Sequence, residues 1–304
     1  QSNIIASQSI HLQFGGVVPE LASRAHQKTI TQTVQQALEE GNTNLDNIEA
    51  VAVTQGPGLL GSLLVGICFA KGLALSSNIP IIGVNHMDAH IYANFIDHQP
   101  EFPLLALTVS GGHTQLVHVQ SPFEHEIIGE TRDDAAGEAF DKIGKLLGLP
   151  YPAGPHMDKL GKNGDHHFHK FPQAMLNKGL DFSFSGLKTS VLYYLEDKEE
   201  DWIEEHLNDI CASVNHAISE VLVKKLKRAA QNTEVKSIVL AGGVSANSML
   251  RNKAEDMAAD LGIPLYSPKL SYCTDNAAMI AITGKMKAEL GQFDDLNLTP
   301  FASL

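Results

Sequence analysis

The sequence predicts an α/β protein of two similar lobes with a cleft between them. Runs of strand character alternate with amphipathic helical runs along the whole chain. A hairpin signal at 104–119 restarts, midway, the strand-and-helix order of the first part. The 304 residues, 43% of them hydrophobic, exceed one small core and suffice for two lobes of ordinary size. The division expected is a first lobe over 1–103 completed by 276–304, and a second over 104–275 with an insert at about 150–190.

Pro19 and Glu20 open the first element. Leu21, Ala22, Ala25, Val34, Ala37 and Leu38 then recur on one helical face, proline suits a first turn, and Gly41 is a natural stop. "IEAVAVTQGPG" (48–58) is a strand running into a Gly-Pro-Gly turn. Leu59 to Leu75 is the most apolar stretch, but Gly61, Ser62, Gly66, Lys71 and Gly72 interrupt it, so it reads as a buried helix. A short strand at 80–84 leads into a helix carrying His86 and His90. "PLLALTVSGGHTQLVHV" (103–119) is two strands joined at Gly111-Gly112.

"DDAAGEAFDKIGKLLG" (133–148) is a helix with Ala136, Phe140, Ile143, Leu146 and Leu147 on its apolar side. Residues 150–190 lack periodicity and are rich in Gly, Pro and His, which predicts a long, partly ordered functional insert. A long amphipathic helix is expected over 202–232. "VKSIVLAGGVSAN" (235–247) is a buried strand, a glycine turn and the start of a helix that reaches about Leu261. "IPLYSP" (263–268) is a short strand, and "TDNAAMIAITGKMKAEL" (274–290) a closing helix.

Composition narrows the function classes. Acidic residues outnumber basic ones 35 to 22, for a formal net charge of −13, which disfavours a chain that grips nucleic acid unaided. An RNA substrate would need a local patch or another subunit to supply positive charge. Cys68, Cys211 and Cys273 are far apart with no C-x-x-C, which argues against disulfide scaffolding and thiolate zinc. With no secretory or spanning segment visible, a cytoplasmic protein is expected.

"HMDAH" places His86 and His90 at i and i+4, on one helical face, where both imidazoles can reach one ion. Among 14 histidines such a pair also arises by chance, and spacing does not locate a third ligand. Asp275 could serve, or could equally cap the last helix. The zinc-protease pattern H-E-x-x-H is absent: Met87 follows His86 and Asp88 stands one position late for its base.

Gly56-Pro57-Gly58, Gly111-Gly112 and Gly242-Gly243 each follow a β-run, and such turns offer backbone N–H groups to an anion. No Walker motif is present. Asp133, Asp134, Glu138 and Asp141 read as a solvated helical face, although Ala135, Ala136 and Gly137 between them indicate close packing or a ligand near the backbone. "DHHFHK" (165–170) reads as a solvated loop, because adjacent histidines point in different directions. Lys224, Lys225, Lys227 and Arg228 read as a soluble face.

"FGGVVPELASRAH", "TQGPGLLGSLLVG", "HMDAH", "VSGGHTQL", "DDAAGEAFDK", "YPAGP", "DFSFSGLKT", "AGGVSAN" and "CTDNAAMIA" occur in that order. Together they resemble the TsaD family, also known by its Kae and Qri relatives, from about Phe14 to Ile282. The resemblance implies the two-lobed fold of actin, sugar kinases and Hsp70, a duplicated ribonuclease H-like unit with an interlobe cleft. It implies transfer of a threonylcarbamoyl group from threonylcarbamoyl-AMP to N6 of adenosine 37, in tRNAs reading codons that begin with A.

The family's metal ligands fall on His86, His90 and Asp275, with one divalent ion per subunit, Fe(2+) first and Zn(2+) second. Its adenylate-contacting stretch falls on Thr108, Val109, Ser110, Gly111 and Gly112, and further substrate contacts on Asp141, Gly154, Asp158 and Asn247. A TsaB-like protein, a TsaE-like ATPase and a TsaC-type adenylate synthase are the expected partners. Ala89 stands where the family commonly has glycine, a change a helix tolerates. The family's opening strand and turn, reading roughly E-T-S-C-D-E-T, would lie upstream of Gln1, and the resemblance leaves open whether the chain from Gln1 onward has its core strand and activity by itself. Rival readings are a metallopeptidase, after the older O-sialoglycoprotein endopeptidase label, an ATPase or sugar-kinase-like enzyme, and a metal-free scaffold subunit.

Overall fold

The computed structural model describes residues 1–6 and 18–303; Phe14 to Val17, which open the first family-like run, lie outside them. In chain order the elements are α1 (Pro19–Glu40), β1 (Val51–Gly56), α2 (Leu60–Ser77), β2 (Ile81–Asn85), α3 (His86–Tyr92), β3 (Leu104–Val109), β4 (Thr114–Ser121) and β5 (Glu124–Glu130). They continue with α4 (Ala136–Leu146), α5 (Ala153–Gly161), α6 (Ser185–Leu195), α7 (Glu200–Glu205), α8 (Leu207–Asn232), β6 (Ser237–Ala241), α9 (Ser248–Leu261), β7 (Leu265–Tyr266), α10 (Leu270–Cys273) and α11 (Ala277–Glu289). The chain divides into two compact units, Gln1–Ile96 with Asp275–Leu304, and Asp97–Thr274. Asp275, the last residue of the second lobe in the sequence-based division, thus belongs to the first unit.

In the first unit β1 and β2 pair in parallel, from Val51 opposite Ile81 to Thr54 opposite Val84. Side chains alternate across this pair, as a strand's period of two requires. Ile82 and Val84 pack with Ala89, Ala93, Met279 and Ile280, whereas Ile81 packs with Ala70, Ala74 and Leu298. Helix α11 can lie close because Gly284 faces Ala52; a Cβ there would sit 2.5 Å from that of Ala52. Gly83 is held from both sides: its N–H donates to Asp294 (2.8 Å) and its carbonyl accepts from Lys287 Nζ (2.7 Å).

Helix α2 corrects an expectation. Only Leu63, Ile67, Ala70 and Ala74 are buried, while Leu60, Leu64 and Leu75 are 48%, 43% and 70% exposed. By length and composition alone α2 would pass for a membrane-crossing helix.

The second unit carries a five-stranded sheet in the order β5-β4-β3-β6-β7. β3, β6 and β7 are parallel, and the β3–β4–β5 meander is antiparallel. β5 extends the meander beyond 119, where the hairpin signal of the sequence ends. Every residue of β3 and of β6 is buried, so both read as continuous apolar runs. One contiguous core joins Leu105 and Leu107 to Phe140, Ile143, Ile218, Leu222 and Ile238.

The stretch 150–190 holds more order than expected. α5 and the start of α6 lie within it, and Phe171, Phe182 and Phe184 are buried. The helix expected over 202–232 breaks at His206 into α7 and α8. Nor is the basic stripe wholly a soluble face. Lys225 is fully buried, and its ammonium donates to the carbonyls of Met175 (2.8 Å), Lys178 (2.9 Å) and Gly179 (3.3 Å). A buried charge needs such partners, and here the partners are the otherwise irregular insert.

Candidate functional site

Helix α3 begins where β2 ends, so strand pairing fixes its first residue. Asn85 caps it, its Oδ1 accepting from Met87 N (2.8 Å) and Asp88 N (3.3 Å). His86 and His90 then stand one turn apart with ring centroids 4.8 Å apart, edge to face. His90 is 2% exposed and His86 22%.

Asp275 immediately precedes α11. The capping role left open for it is filled by Asn276, whose Oδ1 accepts from Met279 N (3.0 Å). That leaves the Asp275 carboxylate, 76% exposed, turned to the histidines: Oδ1 lies 3.4 Å from His86 Nε2 and 3.3 Å from His90 Nε2. Three donor atoms of these residues fall within 4.8 Å of one another. Desolvation pushes the Asp275 carboxyl up, but the adjoining His86 and His90 outweigh it and hold the group well below the usual carboxylate range.

The residues fit a metal ion. Charge-assisted N–H···O bonds close to about 2.7–2.9 Å. Ligand atoms that each stand about 2.0–2.1 Å from one tetrahedral ion are about 3.3–3.4 Å apart. The two spacings from Asp275 Oδ1 to the imidazole nitrogens are the second of these, and the three ligand atoms together lie within 4.8 Å. Two imidazoles with one carboxylate suit iron or zinc and leave coordination positions for substrate oxygens. His86 and Asp275 also line a cavity of about 1040 Å³ whose other walls include Val53, Leu63 and Met279.

In the second unit, Thr108 and Val109 are buried at the end of β3, and Ser110 to His113 form the turn into β4. Ser110 N donates to His113 O (2.8 Å), and His113 N donates to Ser110 Oγ (3.1 Å). The space a side chain would fill at Gly111 and Gly112 is open. Gly137 in α4 presses on this turn, its N–H donating to Ser110 O (3.2 Å); a Cβ there would come within 2.5 Å of the same oxygen. Close packing thus accounts for the small residues 135–137.

Gly242 (φ +84°) follows β6, and a Cβ there would sit 2.4 Å from Val109 O. The two glycine turns therefore stand side by side at the carboxyl ends of adjacent parallel strands, where open α/β sheets bind anionic ligands. The Gly56-Pro57-Gly58 turn differs. Gly58 N donates to Ala302 O (3.2 Å), and Phe301 O lies 2.2 Å from where a Gly56 Cβ would be, so the tail of the chain covers it.

Asp141, Gly154, Asp158 and Asn247 come together as two pairs. Asp141 Oδ1 accepts from Ala153 N (2.7 Å) and so fixes the first turn of α5, next to Gly154; burial raises its pKa against those backbone bonds. Asp158 Oδ1 accepts from Ser248 N (3.0 Å) and Ser248 Oγ (2.8 Å). Asn247 caps α9 through Leu250 N (3.0 Å), and its Nδ2 donates to Asn215 Oδ1 (2.9 Å).

Sequence reasoning missed Asn215, which carries the link onward to Met157 O (2.9 Å), and the role of Asp133. Asp133 accepts from Ser183 Oγ (2.6 Å), Ser185 Oγ (2.8 Å), Phe184 N (2.8 Å) and Ser185 N (3.2 Å), pinning the start of α6. Its partners lie about fifty positions away, and no local pattern announces them.

A family model described as TsaD, tRNA N6-adenosine threonylcarbamoyltransferase, matches residues 1–282. Proteins of that name from Christiangramia forsetii, Riemerella anatipestifer and Porphyromonas gingivalis are 50%, 51% and 49% identical to the chain. The matches cover 98%, 99% and 100% of this chain and 89%, 90% and 91% of the relatives. HypF from T. kodakarensis superposes with a TM-score of 0.64 at 13% identity, over 88% of this chain and 44% of that one. The Acidaminococcus fermentans (R)-2-hydroxyglutaryl-CoA dehydratase component A gives 0.51 at 14%, over 84% and 81%. At such identities these likenesses speak for the fold, the α/β architecture of the actin, sugar-kinase and Hsp70 type.

Proposed function

The chain belongs to the TsaD family and is a tRNA N6-adenosine threonylcarbamoyltransferase, and on that premise we propose how its residues divide the work. The donor is threonylcarbamoyl-AMP and the acceptor is N6 of adenosine 37 in tRNAs that read codons beginning with A. In the reaction the N6 nitrogen bonds to the carbamoyl carbon and gives up one proton to solvent, the bond from that carbon to the phosphate oxygen breaks, and AMP leaves with that bond's electron pair. The amine is a poor nucleophile because its lone pair is delocalised into the purine, so the donor must be activated and its leaving group stabilised.

His86, His90 and Asp275 hold a divalent cation, iron(II) first and zinc second. When bound, it supplies Lewis acidity and charge neutralisation for a phosphorylated donor. The 3.3–3.4 Å spacing of Asp275 Oδ1 from each imidazole nitrogen is the observation that carries this reading. The backbone N–H groups of Gly111 and Gly112 and of the Gly242-Gly243 turn receive the phosphate, while Ser110 gives its own N–H to His113 and so holds the first turn in shape. Asp141, Gly154, Asp158 and Asn247 hold the nucleoside portion. The bonds that Asp141 and Asp158 already make to α5 and α9 lock their carboxylates before any ligand arrives, which lowers the cost of ordering on binding.

A chain of net charge −13 is a poor tRNA holder by itself, so TsaB-like and TsaE-like proteins act with it and a TsaC-type synthase supplies the adenylate, in the cytoplasm. The test supplies threonylcarbamoyl-AMP, those partners and unmodified tRNA, and reads the modified adenosine by mass spectrometry. Product from the chain that disappears with Asn247→Ala is the expected result; undiminished product from Asn247→Ala removes that residue from the site.

A further inference from the structure

Asn215 stands on α8 with 1% of its surface exposed, and its amide reaches both members of the Asp158–Asn247 pair. Its Nδ2 donates to Met157 O (2.9 Å), the carbonyl just before Asp158, and its Oδ1 accepts from Asn247 Nδ2 (2.9 Å). The pair is tied a second time through Ser248, whose N–H and hydroxyl both donate to Asp158 Oδ1. Gly161, about one turn beyond Met157 on α5, makes room for the amide. A Cβ there would sit 2.7 Å from Asn215 Nδ2 and 3.2 Å from Ala212 Cα. Helix α5, helix α8 and the start of α9 thus meet at one buried side chain.

The polarity of these bonds is forced from both ends. Met157 O can only accept, so Asn215 presents Nδ2 to it and Oδ1 to Asn247. Leu250 N can only donate, so Asn247 presents Oδ1 to it (3.0 Å) and Nδ2 to Asn215. A side-chain amide that could otherwise flip is held in one orientation, as a satisfied buried network requires. One Nδ2 proton of Asn247 goes to Asn215, and the other is left for a ligand oxygen.

We propose that Asn215 is a positioning residue for the nucleoside portion of the donor, one that sets the orientation of the Asn247 amide and its spacing from Asp158. The proposal rests on the reading that Asn247 and Asp158 hold that portion. Asn215 is too deeply buried to touch the ligand and acts only through its neighbours. Without its Oδ1, the nearly buried Asn247 Nδ2 loses its acceptor, and the cost of an unmet donor draws the amide toward another partner and away from the ligand.

Two substitutions separate positioning from bracing. Asn215→Leu keeps the approximate shape and removes both bonds. Asn215→Asp keeps an oxygen facing Asn247 Nδ2 whether the carboxyl is protonated or ionised, and sacrifices only the bond to Met157 O when ionised. A side chain that merely braced α5 on α8 would lose ligand affinity in step with stability in both variants.

The experiment measures AMP affinity by calorimetry, and unfolding in urea, for the full chain and for Asn247→Ala, Asn215→Leu and Asn215→Asp. AMP is expected to bind Asn215→Leu about tenfold more weakly and Asn215→Asp within about twofold of the native chain, although both variants unfold at lower urea. Native affinity in Asn215→Leu, with binding weakened in Asn247→Ala, overturns the inference and leaves the underlying reading standing. An equal loss in Asn215→Leu and Asn215→Asp does the same. Undiminished affinity in Asn247→Ala, or no AMP held by the native chain, sinks that reading and the inference with it. Should Asn215→Leu not fold, Asn215→Ala takes its place under the same outcomes.

Discussion

The two units of the chain both set a sheet against helices, but to different depths. β3 in the second unit is buried at all six positions, whereas β1 in the first is buried only at Gly56. Among the described residues, five strands carry one contiguous core in the second unit, and β1 and β2 carry the clusters around Ile82 and Ile81 in the first. The candidate metal ligands stand on the first unit. Their placement comes from local devices, the Asn85 and Asn276 caps and the end of β2, more than from a surrounding core. The residues of the second unit proposed to contact substrate stand instead on strand ends and helix starts that its core holds.

Removing a ligand breaks the comparison most sharply. His90 is the buried member of the candidate metal set, and His90→Ala removes one of its three donors. Loss of an outer-shell partner alone commonly costs about 10–100-fold in metal affinity or activity, so loss of a ligand should cost at least about 100-fold. Metal content and threonylcarbamoyladenosine formation measured on one preparation check this. Retained metal with unaltered product would separate the three residues from the chemistry.

Core truncation sharpens it next. Leu105→Ala in β3 empties a fully buried site and should cost about 2–5 kcal/mol. Val53→Ala in β1 removes a half-buried side chain and should cost about 1 kcal/mol or less. Urea unfolding of both variants reads the difference. Equal costs would mean that the first unit is as tightly packed as the second.

How much of this was legible follows from the range of each interaction. α1, β1, α2, β2 and α11 announce themselves through local periodicity and punctuating Gly and Pro, and the His86–His90 pair through i,i+4 spacing. Asp275 stands 185 positions beyond His90, and only the family resemblance linked them; on spacing alone it read equally as a helix cap. The exposed leucines of α2 were invisible for a related reason, because an apolar run looks alike whether covered or bare. Lys225 shows the converse: a lysine among lysines on an amphipathic helix looks solvated, and only the fold brings the Met175–Gly179 carbonyls to it. In the stretch 150–190 the order comes from such distant partners, which is why no period betrayed it.

The smallest effect expected is a pH dependence confined to the second unit. Desolvation pushes the Asp133 carboxyl up, but bonds from Ser183, Phe184 and Ser185 outweigh it and hold the pKa below the ordinary 3.8. With the folded value the lower of the two, the unfolded chain takes up the proton first as pH falls. The stabilisation from these bonds is therefore complete above about pH 4, where both states are ionised, and is lost as pH falls through the folded value. Because Asp133 is exposed, solvent screens the effect and it should stay local. Hydrogen exchange at Phe184 and Ser185, whose amides Asp133 accepts, should accelerate below about pH 4 in the native chain more than in Asp133→Asn, after correction for intrinsic exchange. The amides of Met87 and Asp88 in the first unit, held by the non-titrating Asn85, should show no such difference between the two chains. Equal acceleration at Phe184 in both chains would mean that another carboxylate, and not Asp133, holds the start of α6.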